Sequence, residues 1–249
     1  MLRRLCRYLL ITLLTFLSYT PSYGLGSEDV LLVKEDYDSL SRLSSEELME
    51  AGRAYFEQRL AGKSLTCFTI VSQRPANDDE SARLSIRALN NCACVYKFLY
   101  YDYTQAYEHF IKAYDLCESL SYQEFLPVIM VNLGDLLNDY SLNYDSQPLA
   151  EQARQLFTKA IQRAVETKNW ELLTTAFFNL SSQNYSLDLD DYNVILSGDI
   201  PHDTPDLQYI RLQYQAIAYI QEGSPSQARQ CFEQQLPVVS ARWEPERDT

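Results

Sequence analysis

An all-α solenoid of stacked helix hairpins is the fold this sequence predicts, and three observations predict it. Apolar residues recur at spacings of three and four, the signature of one helical face, rather than alternating as in a strand. Glycine is scarce, with 7 in 249 residues, while the hydrophobic share of 46% allows a core. The same ordered arrangement of small and large residues returns four to five times, at a period of about 34–47 residues. A single hairpin cannot bury its own apolar face, so a series of them implies stacking.

Taken in order, 25–43 is a linker or a leading helical segment, with Leu31, Leu32, Tyr37 and Leu40 among Asp, Glu and Ser. Ser44-x2-Glu47 is a capping box that opens the first hairpin. Leu48-x2-Ala51-Gly52-x2-Tyr55 gives its first helix, to about Leu60, with Gly62 as the expected stop. Ser64-x3-Phe68-x2-Val71 gives its second helix, to about Gln73, and Pro75 with 77–79 turns the chain out. The second hairpin pairs Leu89-x2-Cys92-Ala93-x2-Tyr96 in 80–99 with Ala106-x3-Phe110-x2-Ala113 in 104–120. Its loop is one residue longer than in the other hairpins of this type. The third pairs Met130-x2-Leu133-Gly134-x2-Leu137 in 124–140 with Ala153-x3-Phe157-x2-Ala160. Pro148 suits the first turn of that second helix, and 141–147 is expected as a loop insertion. A fourth first helix, from Trp170 to Tyr185, carries Phe177-x2-Leu180-Ser181-x2-Asn184. The pattern then degrades: 187–192 and 194–196 are compatible with a short second helix, and 198–206 is a Pro- and Gly-bearing break. The last hairpin pairs Leu212-x2-Gln215-Ala216-x2-Tyr219 with Ala228-x3-Phe232, and Pro237 is expected to end or bend it.

These residues resemble the tetratricopeptide repeat, W-x2-L-G-x2-Y followed by A-x3-F and then Pro. Leu89 stands for the Trp and Ala93 for the Gly in the second hairpin. The resemblance covers roughly 44–242 and implies a right-handed superhelix, with repeats near 45–78, 86–120, 127–167, 170–198 (divergent) and 209–240. A polar tail at 243–249 follows. No polar capping helix follows the last pair, so the chain is expected to continue into a partner or a longer architecture.

The first 24 residues are different material. Arg3, Arg4 and Arg7 precede an apolar run from Leu9 to Leu17, and Ser22-Tyr23-Gly24 offers small residues for a peptidase. This is a secretory signal peptide in its three parts, and its apolar run is short for a membrane span. The expected location is periplasmic or secreted, with no membrane insertion after cleavage; the alternative is an uncleaved amino-terminal anchor. Beyond it lie Cys67, Cys92, Cys94, Cys117 and Cys231, an odd number that does not form a disulfide framework. Cys67 and Cys92 fall on apolar faces as small hydrophobes, and Cys92-x-Cys94 lacks the spacer of a redox or zinc pair.

The net charge of −13 speaks against nucleic acid, whose binders need a basic surface. There is no His-Glu-x2-His, phosphate-binding glycine loop or Gly-x-Ser-x-Gly. His109 and His202 lack a neighbouring nucleophile motif, and the Asp188, Asp190, Asp191 cluster lacks the glycine and closing glutamate of a calcium loop. Neither an enzyme nor a cofactor or metal is expected.

One site follows from repetition. Asn91, Asn132 and Asn179 hold the same place in three successive first helices. A carboxamide matches a peptide group's N–H and C=O, so a ladder of three would hold an extended main chain. The resemblance implies that first helices line a concave groove, with Asp135, Cys94, Phe98 and Tyr185 as further lining residues. The first and last repeats carry Glu50 and Tyr214 instead. The function implied is non-enzymatic binding of a protein or peptide, similar to the exported repeat regions of Bacteroidetes-type regulators; the alternative is a self-associating envelope scaffold.

Overall fold

The computed structural model describes residues 37–182, 200–201 and 204–243. Two compact units divide the chain at Arg42; of the first, the described part is a helical turn at 37–40 and its exit. Among its described residues the second unit has helices and turns, without strands. Its helices are α1 Ser45–Glu57, α2 Ala61–Gln73, α3 Asp79–Val95, α4 Tyr103–Leu120, α5 Leu126–Tyr144, α6 Gln147–Glu166, α7 Trp170–Ser182, α8 Pro205–Gln221 and α9 Pro225–Trp243. Each helix from α1 to α7 packs on the next, α8 packs on α9 and touches α7, and α1 with α3 and α5 with α7 meet as next-but-one neighbours. No described helix is long and apolar enough to cross a membrane.

Local chemistry sets the starts. Ser44 and Glu47 form the expected capping box: the Glu47 N–H donates to Ser44 Oγ at 3.1 Å and the Ser44 N–H to Glu47 Oε2 at 2.7 Å. Asp78 and Ser81 build a second box on α3. Asp102 caps α4, Asn169 caps α7 and Thr204 caps α8 through their side-chain oxygens. Pro127 and Pro148 lie in the first turns of α5 and α6, where a missing N–H costs nothing.

The stops differ from the sequence expectation. Gly62 is inside the first turn of α2 rather than ending α1; the reversal falls on Arg59, at φ 59°. The left-handed position is likewise filled by Tyr101, Ser121, Asp145 and Lys168, and by glycine at Gly223. Residues 141–147 are not a loop insertion. Helix α5 runs on through Tyr144, Asp145 turns the chain, and α6 starts at Gln147, because Tyr140 and Ser141 are buried and keep the helix in register. Pro237 does not end α9, which continues through it to Trp243. The extra residue between α3 and α4 is taken up as a π turn, Tyr96–Tyr100, before Tyr101 reverses the chain; such a turn is how a helix absorbs an inserted residue. The 187–196 segment and the aspartates within it lie outside the described residues, as do His202 and the 1–24 leader.

The core is made where the motif crosses. A Cβ on Gly52 would fall 2.6 Å from the Phe68 ring, and one on Gly134 would fall 3.0 Å from the Phe157 ring. Both rings are fully buried. Glycine lets the two backbones approach until the ring lies flat on the first helix. The α3–α4 hairpin buries Ala93, Ala106, Phe110 and Ala113 completely. Cys67, Cys92 and Cys117 are buried in the same interior, and none of the five described cysteines is in a disulfide.

Candidate functional site

Polar pairs join α3 and the π turn after it to α5 and the residues just before it, at sequence offsets of 38 to 43 residues. Arg83 pairs with Glu124, 41 residues on. The Asn132 Nδ2 donates to Asn90 Oδ1 at 2.9 Å, 42 residues away. Lys97 reaches Asp139, again 42 positions on, at 3.0 Å. Lys97 also reaches Asp135, 38 positions on; the partners rise together from Arg83 to Lys97 and from Glu124 to Asp139, so the two segments run in the same direction.

The lower end of this seam, at the start of α3, is a clamp. Arg83 lies 4.8 Å from the Tyr122 ring centre and 5.9 Å from that of Phe125, and its Nε holds Asp79 at 2.7 Å. The Tyr122 hydroxyl donates to Asp79. That bond, then the Arg83 bond, holds the Asp79 carboxyl below its ordinary pKa.

The upper end is the more unusual. Lys97, carried on the π turn, is 3% exposed, and its ammonium donates to Asp135 and Asp139. An ammonium taken out of water is costly unless its protons find acceptors, and two carboxylates one helical turn apart on α5 supply them. Both retain water on their outer sides, with side chains 31% and 35% exposed. Lys97 Nζ also stands 4.8 Å from the Phe98 ring centre, in cation–π range. Phe98 is 44% exposed and meets Phe56 of α1 edge-on at 6.5 Å. Tyr103 borders the cluster: burial pushes its phenol pKa up, Asp139 adds to the push and Lys97 opposes it. Tyr103 packs on Tyr140 at 5.4 Å, and Tyr140 stacks on Tyr144 at 5.5 Å.

Of the residues expected from sequence, Asp135 and Phe98 are brought together here through Lys97. Asn132 lies along the same seam, one turn before Asp135. Its bonded partner is Asn90 and not Asn91, so the seam is joined one position away from the expected ladder. Asn91 is half-buried on α3 and Asn179 half-buried on α7. Tyr185 lies outside the described residues. Lys97, Asp139 and Asn90 were missed. Lys97 is the one Lys or Arg between Arg87 and Lys112, and Asp135 and Asp139 are spaced four apart on an apolar helix, but nothing in the sequence pairs them.

Burial pushes the Cys92 and Cys94 thiols up to about 12, so neither is a nucleophile near neutral pH. His109 Nδ1 lies 2.8 Å from the Gln105 carbonyl and its ring 5.1 Å from Tyr96; burial lowers its pKa. No group of three or more His, Cys, Asp or Glu among the described residues is placed to hold a metal ion. Comparison with protein-family models, curated proteins and solved structures gives no match to this chain.

Proposed function

We propose that this chain is an exported tetratricopeptide-like solenoid that binds a protein or peptide partner without catalysis, along the groove side of its first helices. The observation that carries the reading is the order of the pairs Arg83–Glu124, Asn90–Asn132 and Lys97 with Asp135 and Asp139, whose partners rise together along the two segments. It fits parallel first helices stacked one repeat apart. Asn132, Asp135 and Phe98 then share one face, with part of each side chain open to water. The Gly52–Phe68 and Gly134–Phe157 contacts fit the same repeat logic. The leader at 1–24 carries the reading of export to the periplasm or the exterior, and the resemblance to regulator sensor regions carries a role in signalling.

The test is affinity capture from envelope extract with the chain beside a variant carrying Asn91→Ala, Asn132→Ala and Asn179→Ala, and a second variant, Phe98→Ala. All must share the wild-type helical circular dichroism. A partner held by the wild type and lost by the folded variants supports the groove. Equal capture by all three contradicts it.

A self-associating scaffold is the second reading. Phe232 and Leu236, one turn apart on α9, are exposed, as is Ile220 on α8, giving the last hairpin an apolar strip. Sedimentation over a concentration series tests it: a mass that rises in the wild type and stays monomeric in Phe232→Asp favours assembly through this strip.

A further inference from the structure

The face beside the Lys97 cluster is aromatic and exposed. Phe98, Tyr101 and Tyr144 are 44%, 64% and 65% exposed, and Tyr144 ends a run of packed rings through Tyr140 to Tyr103. Large rings open to water in one place mark an interaction surface. Charge identifies the occupant. Arg83, a second cation of the seam, is already held by Asp79 and Glu124. Lys97 is buried and committed to Asp135 and Asp139. Its ammonium takes the Oδ2 of each carboxylate, leaving one cation against two acids whose side chains are 31% and 35% exposed. A ring face beside a carboxylate is the environment that attracts an ammonium or guanidinium.

We propose that this face receives the lysine or arginine side chains of an extended segment of a protein partner. The proposal rests on the groove reading above and names the partner's chemistry. Lys97 is then a built-in positioning cation: it fixes Asp135 and Asp139 from beneath, so their free oxygens and the tyrosine faces point to one incoming charge. Binding weakens with salt, as an exposed charge pairing must.

The experiment is fluorescence anisotropy with the full chain and three labelled peptides: a lysine–glycine repeat, a glutamate–glycine repeat and a serine–glycine repeat. The variants are Asp135→Asn with Asp139→Asn, Tyr144→Ala, and, as a control of equal charge change on α4, Glu108→Gln with Asp115→Asn. The lysine peptide is expected to bind alone. The Asp135/Asp139 pair should weaken it about tenfold, Tyr144→Ala about threefold, and the control pair by less than about twofold. Tyr144 is exposed, so its variant decides the matter if the aspartate pair alters the circular dichroism. Equal weakening by the control pair overturns the proposal as diffuse attraction. So does failure of the lysine peptide to bind, or binding of the glutamate or serine peptide in its place. Those results leave partner capture and its loss in the asparagine variants standing, so the two readings fail separately.

Discussion

Helix α5 meets α6 through Gly134 and Phe157, and is tied to Asn90 of α3 and Lys97 of the π turn through Asn132, Asp135 and Asp139. The first contact is dry and dense: a ring of zero exposure lies where any side chain on residue 134 would be. The second is polar, half open to water, and built around one buried cation. The dense contact is made within a hairpin, from residues 23 positions apart, and its counterpart at Gly52 and Phe68 is made from residues 16 apart. The seam is made between hairpins. Side-chain volume thus fixes where two helices cross and tolerates different helix lengths, whereas the polar pairs fix the step from one first helix to the next.

The comparison breaks most visibly at the rings. Phe157→Ala should cost about 3–5 kcal/mol, the transfer loss plus a cavity in a site that cannot collapse, measured by urea unfolding. Gly134→Ala and Gly52→Ala sharpen the point. In an open helix this change stabilises by roughly 0.5–1 kcal/mol; here the added methyl meets a buried ring, so both should destabilise by about 1–3 kcal/mol. Gly52→Ala should be the worse, because its Cβ would sit 2.6 Å from Phe68 against 3.0 Å for Gly134 and Phe157.

At the seam, Lys97→Met should cost about 1–3 kcal/mol, because it leaves two carboxylates facing each other. The figure stays below that of a fully buried pair because both acids keep a third of their exposure. Adding Asp135→Asn and Asp139→Asn should restore most of the loss. A triple variant as unstable as the single would contradict the ion-cluster account.

A pH titration separates the regions further. His109 has its pKa lowered by burial and by Lys112, against the Gln105 carbonyl and Glu108. The unfolded chain therefore binds the proton first as pH falls below about 6.5. Stability is full above that value and declines below it until the folded imidazole also titrates. His109→Gln should flatten this acid limb in thermal melts; an unchanged slope would show that the carboxylates alone produce it. The smallest effect is expected at Lys168, exposed and left-handed at φ 54°. Lys168→Gly should raise stability by about 0.5 kcal/mol, the relief of a Cβ clash less the added chain entropy.

What the sequence carried and what it hid divide along the same line. Ser44 with Glu47, Pro148, and the Gly and Phe positions are local signals, and the helices obey them. The stop at Gly62 failed because Arg59 took the left-handed turn, and the 141–147 loop failed because burying Tyr140 and Ser141 keeps α5 helical. Pro237 failed as a stop because α9 runs on through it. Asp135 and Phe98 were named from the resemblance, and both lie beside Lys97. Lys97 was not, since a lone lysine in an apolar helix gives no hint of two acids some 40 residues away. Asn90 was hidden for a related reason: the motif does not say which of two adjacent asparagines faces Asn132.

The most direct test is carbodiimide footprinting of the carboxylates, read by mass spectrometry, with and without the captured partner. The account predicts that Asp135 and Asp139 lose labelling when the partner is bound while Glu108 and Asp115 on α4 label as before. Protection of Glu108 and Asp115 with Asp135 and Asp139 unchanged would contradict it, and would move the binding face from the first helices to the second.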